Sequence, residues 1–183
     1  MSGIGKAIMS KIHLIGNETG IVADEMVQMG LMLHYQKSGD TYEDNPYWCG
    51  AHFDHGLFTA LTPATYYTAD RLIEEPEEAG LFVRVGGEFK RVVADPDILL
   101  FQVGEFGQLV LDDKIQATEH RVQKAKGSVE RYALAVFFSL SLETTIRSTS
   151  ILTEDSRYSG GAHDPCTFDH WNQESFKRYI VSE

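Results

Sequence analysis

Cysteine is scarce. The 183 residues contain two, Cys49 and Cys166, far apart in the chain. That excludes a disulfide framework, and both are expected as reduced thiols. No apolar run approaches the roughly 18 residues that a spanning helix needs, so no membrane-crossing helix is expected. The opening residues "MSGIGKAIMSKIHLIG" lack a long apolar stretch and a small-residue cleavage site. A signal peptide is therefore not expected, and the protein is read as cytoplasmic. Basic side chains are few: 16 Lys and Arg against 27 Asp and Glu, a formal net charge of −11. Without any Lys/Arg cluster, such a chain repels phosphate backbones, so nucleic acid is not expected as a partner, nor is a membrane. Internal repeats and low-complexity segments are also missing.

What is present is a globular composition, 43% hydrophobic and 23% charged, long enough for a single domain over 1–183 with its own core. "ETGIVADEMVQMG" (18–30) reads as a helix ended by Gly30, and "LMLHYQ" (31–36) as a strand. Residues 37–46 are turn-rich. From 47 onward, short β-branched and aromatic segments alternate with Gly, Pro and Asp turns. They predict strands at 47–52, 56–61, 80–84, 89–93, 98–103, 108–111, 116–123 and 131–139. Residues 62–79 read as an acidic insertion, 142–169 as extended coil, and "DHWNQESFKRYIVS" as a closing helix with an apolar edge of Trp171, Phe176 and Tyr179. "RVGGEF" (84–89) predicts a hairpin turn rather than a phosphate cradle, since no helix follows. Many short strands with regular turns point to a sandwich or jelly roll, with helices packed outside it.

Chemistry concentrates in "AHFDHGLFTAL" (51–61). On a strand, His52 and Asp54 project to one face, while Phe53 and His55 project to the other. An imidazole and a carboxylate on one face are two-thirds of a facial triad, which a further histidine completes for non-haem Fe(II). A lone His-x-Asp is weak evidence, and surface polar residues are its ordinary explanation. "IQATEHRVQK" (115–124) supplies His120 as a third ligand. "ERYALAVFF" then opens an apolar strand with Arg131. Such an arginine calls for a partner. That partner is either a ligand carboxylate, taken bidentately, or an acid such as Glu130 at the strand edge.

The order His-x-Asp, His-Arg-Val, then an arginine opening an apolar strand resembles the Fe(II)- and 2-oxoglutarate-dependent dioxygenases, and within them the isopenicillin N synthase-like subgroup. "AHFDHGLFTAL" resembles the family's H-x-D-x-G-x-L-T-x-L pair of strands. Residues 80–122 resemble the run through N-x-G-D to the distal histidine, "LMLHYQ" the L-R-L-x-x-Y-P strand, and "ESFKRYI" a common closing helix. The likeness covers roughly 20–183. It implies a mainly β double-stranded β-helix (jelly roll) with a few flanking helices. It implies His52, Asp54 and His120 as iron ligands, and Arg131 and Tyr35 as contacts to 2-oxoglutarate. The implied activity is O2-dependent oxidation of a small-molecule substrate, hydroxylating or desaturating it, with release of succinate and CO2.

Several positions depart from the family pattern. Arg131-Tyr132-Ala133 stands where Arg-x-Ser is usual, and Ala133 offers no hydroxyl. N-x-G-D appears as Gln102-Val103-Gly104-Glu105, with both polar side chains lengthened. Leu33 and Gln36 replace the usual asparagine and proline beside Tyr35, and the family's N-terminal region before residue 20 is nearly absent. These changes keep other readings open: a metal-binding relative without turnover, an iron oxygenase that does not use 2-oxoglutarate, and a zinc-dependent isomerase or hydrolase on the same ligands. A Cys-x-x-His zinc site at Cys49 lacks a second pair. His34 is expected to be structural and Arg121 to pair on the surface. His163 and His170 are expected to be surface residues, and Phe137 and Phe138 to face opposite sides.

Overall fold

The computed structural model describes residues 3, 4, 7, 8, 10, 11, 26–36, 42–158 and 165–178. Twelve strands run β1 (Val27–Tyr35), β2 (Tyr47–His52), β3 (Phe58–Leu61), β4 (Thr65–Thr68), β5 (Arg71–Ile73), β6 (Gly80–Val85), β7 (Glu88–Arg91), β8 (Leu100–Val103), β9 (His120–Gln123), β10 (Glu130–Ser139), β11 (Thr145–Ile146) and β12 (Cys166–Thr167). Two helices, α1 (Glu105–Val110) and α2 (Phe168–Lys177), and a 3-10 helix, Ile151–Glu154, lie among and after the strands, and residues 3, 4, 7, 8, 10 and 11 are helical as well.

The strands form two main antiparallel sheets. The larger has the order β5-β4-β10-β3-β8, with β1 also paired to β10, and the smaller has the order β2-β9-β6-β7. β10 organises the larger sheet. It pairs with β1 from Arg131 to Ser139, and with β3 and then β4 on its other edge. Side chains of both sheets line a common cavity of about 610 Å3. This is the double-stranded β-helix, mainly β with few helices, that the sequence led us to expect. The apolar core lies where β3, β10, α1 and α2 meet. There Phe58 stacks on Phe138 at 4.4 Å, and Phe106 meets Phe168 edge-on at 4.7 Å. Trp171 is wholly buried.

Several boundaries differ from the sequence reading. The predicted helix over 18–30 is strand from Val27, and residues 18–25 lie outside the described residues. Val27, Met29, Leu31, Leu33 and Tyr35 alternate at period two, a pattern masked by the chance helical spacing of Met26 and Met29. The predicted strand at 108–111 is instead the end of α1, where Phe106, Leu109 and Val110 are buried at helical spacing. The acidic stretch 62–79 contains the β4–β5 hairpin rather than an irregular insertion. The predicted coil 142–169 includes β11, the 3-10 helix and β12, while 159–164 lie outside the described residues. The β6–β7 hairpin turns at Gly86 and Gly87, both at positive φ, as its two glycines predicted. The closing helix buries Phe168, Trp171 and Ser175, but Phe176 is half exposed and Tyr179 lies outside the described residues. Phe138 fills the core and Phe137 lines the cavity.

Candidate metal centre

Strand pairing brings the two histidines together. β2 and β9 place His52 directly opposite His120, their rings 4.2 Å apart between centroids. Asp54 lies two residues past the end of β2 and is held by backbone bonds instead. The Glu105 N–H donates to the Asp54 carbonyl at 2.7 Å, the Gly104 N–H to Leu57 at 2.9 Å, and the Gly107 N–H to Gly56 at 3.2 Å. The start of α1 therefore fixes the loop that carries the carboxylate. Gly104 and Gly107 permit this approach, since a Cβ on either would fall 2.3 Å and 2.2 Å from a loop carbonyl oxygen.

One ligand atom each from His52, Asp54 and His120 lie within 4.8 Å of one another, the only such group among the described residues. Asp54 Oδ1 is 3.9 Å from His52 Nε2 and 4.0 Å from His120 Nε2. The other nitrogens are occupied. Nδ1 of His52 donates to the Gly50 carbonyl at 2.8 Å, and Nδ1 of His120 to the Thr118 carbonyl at 2.9 Å. In the neutral form both Nε2 lone pairs then point at the shared space, the orientation metal-ligating histidines are given by their outer hydrogen bonds. The second oxygen of Asp54 accepts from Thr59 Oγ1 at 2.5 Å and Gln102 Nε2 at 2.6 Å, leaving Oδ1 facing the histidines. Gln102 Nε2 also lies 3.1 Å from His120 Nε2. Burial opposes a charge on His52, but Cys49 Sγ and the Gly50 carbonyl at Nδ1, with Asp54 nearby, outweigh it and raise its pKa to about 9. Burial lowers the pKa of His120, with Asp54 opposing.

The remaining residues singled out in the sequence divide clearly. Arg131 and Tyr35 line the same cavity as the triad. Arg131 is 7% exposed and makes no ion pair among the described residues, so the strand-edge pairing with Glu130 is not found. Its guanidinium lies over the Tyr35 ring at 5.2 Å. Glu130 pairs instead with His34, which stacks on Tyr132 on the opposite face from Tyr35. His55 turns away from the triad to Asn172 of α2. Arg121 also turns away, but it packs against Tyr47, Phe82 and Phe89 and donates to Tyr47 Oη and Gln123 rather than to an acid. Cys49 lies 3.6 Å from His52 Nδ1, and both cysteines are free thiols. His163 falls outside the described residues. Sequence reasoning missed Thr59, Tyr66 and Glu75. Period-two alternation from Leu61 through Thr59 gave a signal only for the first.

A family model described as the 2OG-Fe(II) oxygenase superfamily matches residues 27–140, more than half of the chain. This chain belongs to the 2OG-Fe(II) oxygenase superfamily. The match includes all five residues that the sequence placed at the site. A "Probable 2-oxoacid dependent dioxygenase" of Arabidopsis thaliana is 39% identical over 59 residues, which cover 32% of this chain and 16% of that protein. Among solved structures, a full-length Neurospora crassa protein in complex with alpha-KG superposes with a TM-score of 0.69. It is 19% identical, over 98% of this chain and 54% of the other. The same protein is also known with alpha-KG and thymine. The rice dioxygenase for auxin oxidation gives a TM-score of 0.63 at 18% identity, over 96% of this chain and 54% of the other. This superfamily member thus has their fold and spans about half the length of those solved chains. No helix among its described residues is long and apolar enough to cross a membrane.

Proposed function

We propose that this protein is an Fe(II)- and 2-oxoglutarate-dependent dioxygenase that hydroxylates or desaturates a small molecule. One observation carries the reading: the His52, Asp54 and His120 ligand atoms and the buried, acid-free guanidinium of Arg131 share one cavity. The donor set fits Fe(II), since two imidazoles and one carboxylate on one face are the facial triad of non-haem iron oxygenases. Bound there, the metal supplies oxygen activation coupled to decarboxylation of 2-oxoglutarate to succinate and CO2. The protein's own part is to hold and orient. Thr59 and Gln102 fix the Asp54 carboxylate, the Gly50 and Thr118 carbonyls fix the histidines, and Arg131 with Tyr35 receives the far carboxylate of the co-substrate.

The rest of the cavity wall suggests the substrate class. Leu61, Leu72, Leu81, Val92 and Leu100 form an apolar surface that would exclude water from the reacting centre. Arg131 is the only lysine or arginine among the described lining residues, and Glu74 and Glu75 line the same cavity. With Arg131 committed to the co-substrate, the substrate is a neutral or cationic, largely apolar molecule. The isopenicillin N synthase-like subgroup remains our reading of the local motifs. Ala133 favours a second reading, an iron oxygenase that works without 2-oxoglutarate. Incubation with Fe(II), O2 and 2-oxoglutarate distinguishes them. Succinate formation that is lost in Arg131→Ala supports the first reading. Iron-dependent O2 uptake without succinate supports the second.

A further inference from the structure

We propose that Tyr66, backed by Glu75, positions the Arg131 guanidinium for the far carboxylate of a dicarboxylate co-substrate, at a place where Ala133 offers no hydroxyl. The inference rests on the reading of Arg131 given above and deepens it.

Arg131 sits at the centre of a row across three strands. Register pairs it with Tyr35 of β1 on one side and with Tyr66 of β4 on the other. Arg131 Nε donates to Tyr66 Oη at 3.2 Å, and Tyr66 Oη donates to Glu75 Oε1 at 2.7 Å. Tyr66 is 1% exposed and Arg131 7%, so the chain of bonds runs from a buried guanidinium through a buried phenol to Glu75 at the protein surface. Burial raises the pKa of Tyr66, with Arg131 opposing and Glu75 adding to the rise, so the phenol keeps its proton. With Nε engaged by Tyr66 and the Tyr35 hydroxyl also beside the guanidinium, the two Nη groups make no ion pair with an acid among the described residues. They are the pair that a carboxylate takes bidentately. Ala133 lines the same cavity two residues along β10 and offers no donor.

The backbone is built around this contact. Gly80 has φ +110°, and a Cβ there would fall 2.0 Å from Glu75 Oε1 and 3.3 Å from Tyr66 Oη. Any larger residue would displace the carboxylate from the phenol. Glu75 Oε2 is steadied from the other side by Arg91 Nη2 at 3.6 Å. The β4–β5 hairpin and the segment after it thus supply a support for Arg131 that the His-x-Asp and Arg-x-Ala motifs do not reveal.

The test uses the anaerobic Fe(II) protein. Dissociation constants for 2-oxoglutarate and for 2-oxobutyrate, which lacks the far carboxylate, are read from the visible charge-transfer band. Tyr66→Phe is expected to raise the constant for 2-oxoglutarate about tenfold or more, the usual scale for one hydrogen bond to a charged group. It should leave those for 2-oxobutyrate and Fe(II) within about twofold. Equal weakening of both keto acids, or none, overturns the proposal. Arg131→Ala separates the two levels. If it weakens 2-oxoglutarate and Tyr66→Phe does not, Tyr66 alone falls. If neither does, the carboxylate assignment to Arg131 falls as well. Should Tyr66→Phe fail to fold, the parent protein still decides. Its Arg131 Nε–H signal in proton–nitrogen correlation spectra, assigned by loss in Arg131→Lys, is expected to be protected from solvent exchange, and fast exchange overturns the proposal.

Discussion

His52 and His120 stand side by side, yet their surroundings push their proton affinities in opposite directions. The sign follows for metal binding. Below its pKa of about 9, His52 carries a proton on the nitrogen that Fe(II) needs, so binding must release it. Apparent affinity is therefore expected to rise about tenfold per pH unit from pH 6.5 to 8.5, and to level off above about 9. Anaerobic calorimetry in buffers of different ionisation enthalpy should count about one proton released per metal near pH 7.5. A pH-independent affinity would contradict this electrostatic account. Thr59→Val keeps the buried shape and removes one of the two donors that hold Asp54 Oδ2. A 10–100-fold loss in Fe(II) affinity is expected, about the cost of losing an outer partner of a metal ligand. Unchanged affinity would mean that Gln102 alone holds the carboxylate. At this scale the sequence was most readable for His52 and Asp54, which are neighbours in the chain. Gln102 carries no mark of its role, because the contact that defines it is made by β8 folding beside β3, and Thr59 shows only the alternation of its own strand.

Among the elements, α1 does more than its six residues suggest. Its first N–H groups hold the 54–57 loop, and Gly104 makes the approach sterically possible. Gly104→Ala would place a Cβ 2.3 Å from the Gly56 oxygen and 2.8 Å from that of Asp54. Backbone must shift to accept it, and the loop carries a ligand. Fe(II) affinity should therefore fall at least tenfold while the far-UV spectrum is preserved. Parent-like affinity would show that the loop does not depend on α1. The sequence identified the glycine through its likeness to N-x-G-D but read the residues after it as strand. Short apolar runs do not declare their period, and what decides here is the docking of α1 on the loop. The opposite error occurred at β1, where two methionines imitated helical spacing in a segment that β10 recruits as a strand. The β4–β5 hairpin was hidden because its acidic, proline-flanked composition resembles a loop. Pairing with β10 overrides that preference.

At the level of the whole molecule, two sheets form the cavity and the C-terminal segment closes against α1. Arg157 joins these parts. It pairs with Glu105 of α1 at 2.5 Å and with Asp155 at 3.0 Å, lies over Trp171 of α2 at 4.1 Å, and is almost fully buried. Removing it leaves Glu105 and Asp155 without their buried partner. Arg157→Ala is expected to cost about 3–5 kcal/mol in denaturant unfolding. A loss under about 1 kcal/mol would place this contact among weak surface pairs. Strand count and turn spacing made a sandwich or jelly roll legible and the likeness to the family chose the jelly roll, whereas nothing local in the sequence announced that Arg157 ties the two helices together. The central claim is that one cavity holds Fe(II) on His52, Asp54 and His120 and a dicarboxylate on Arg131. Anaerobic titration of the apoprotein with Fe(II) and then 2-oxoglutarate tests it most directly. The account predicts a weak visible charge-transfer band at one equivalent of iron, absent in His52→Ala, Asp54→Ala and His120→Ala and requiring far more 2-oxoglutarate in Arg131→Ala. Stoichiometric iron retained in any triad variant, or a band indifferent to Arg131, would contradict it.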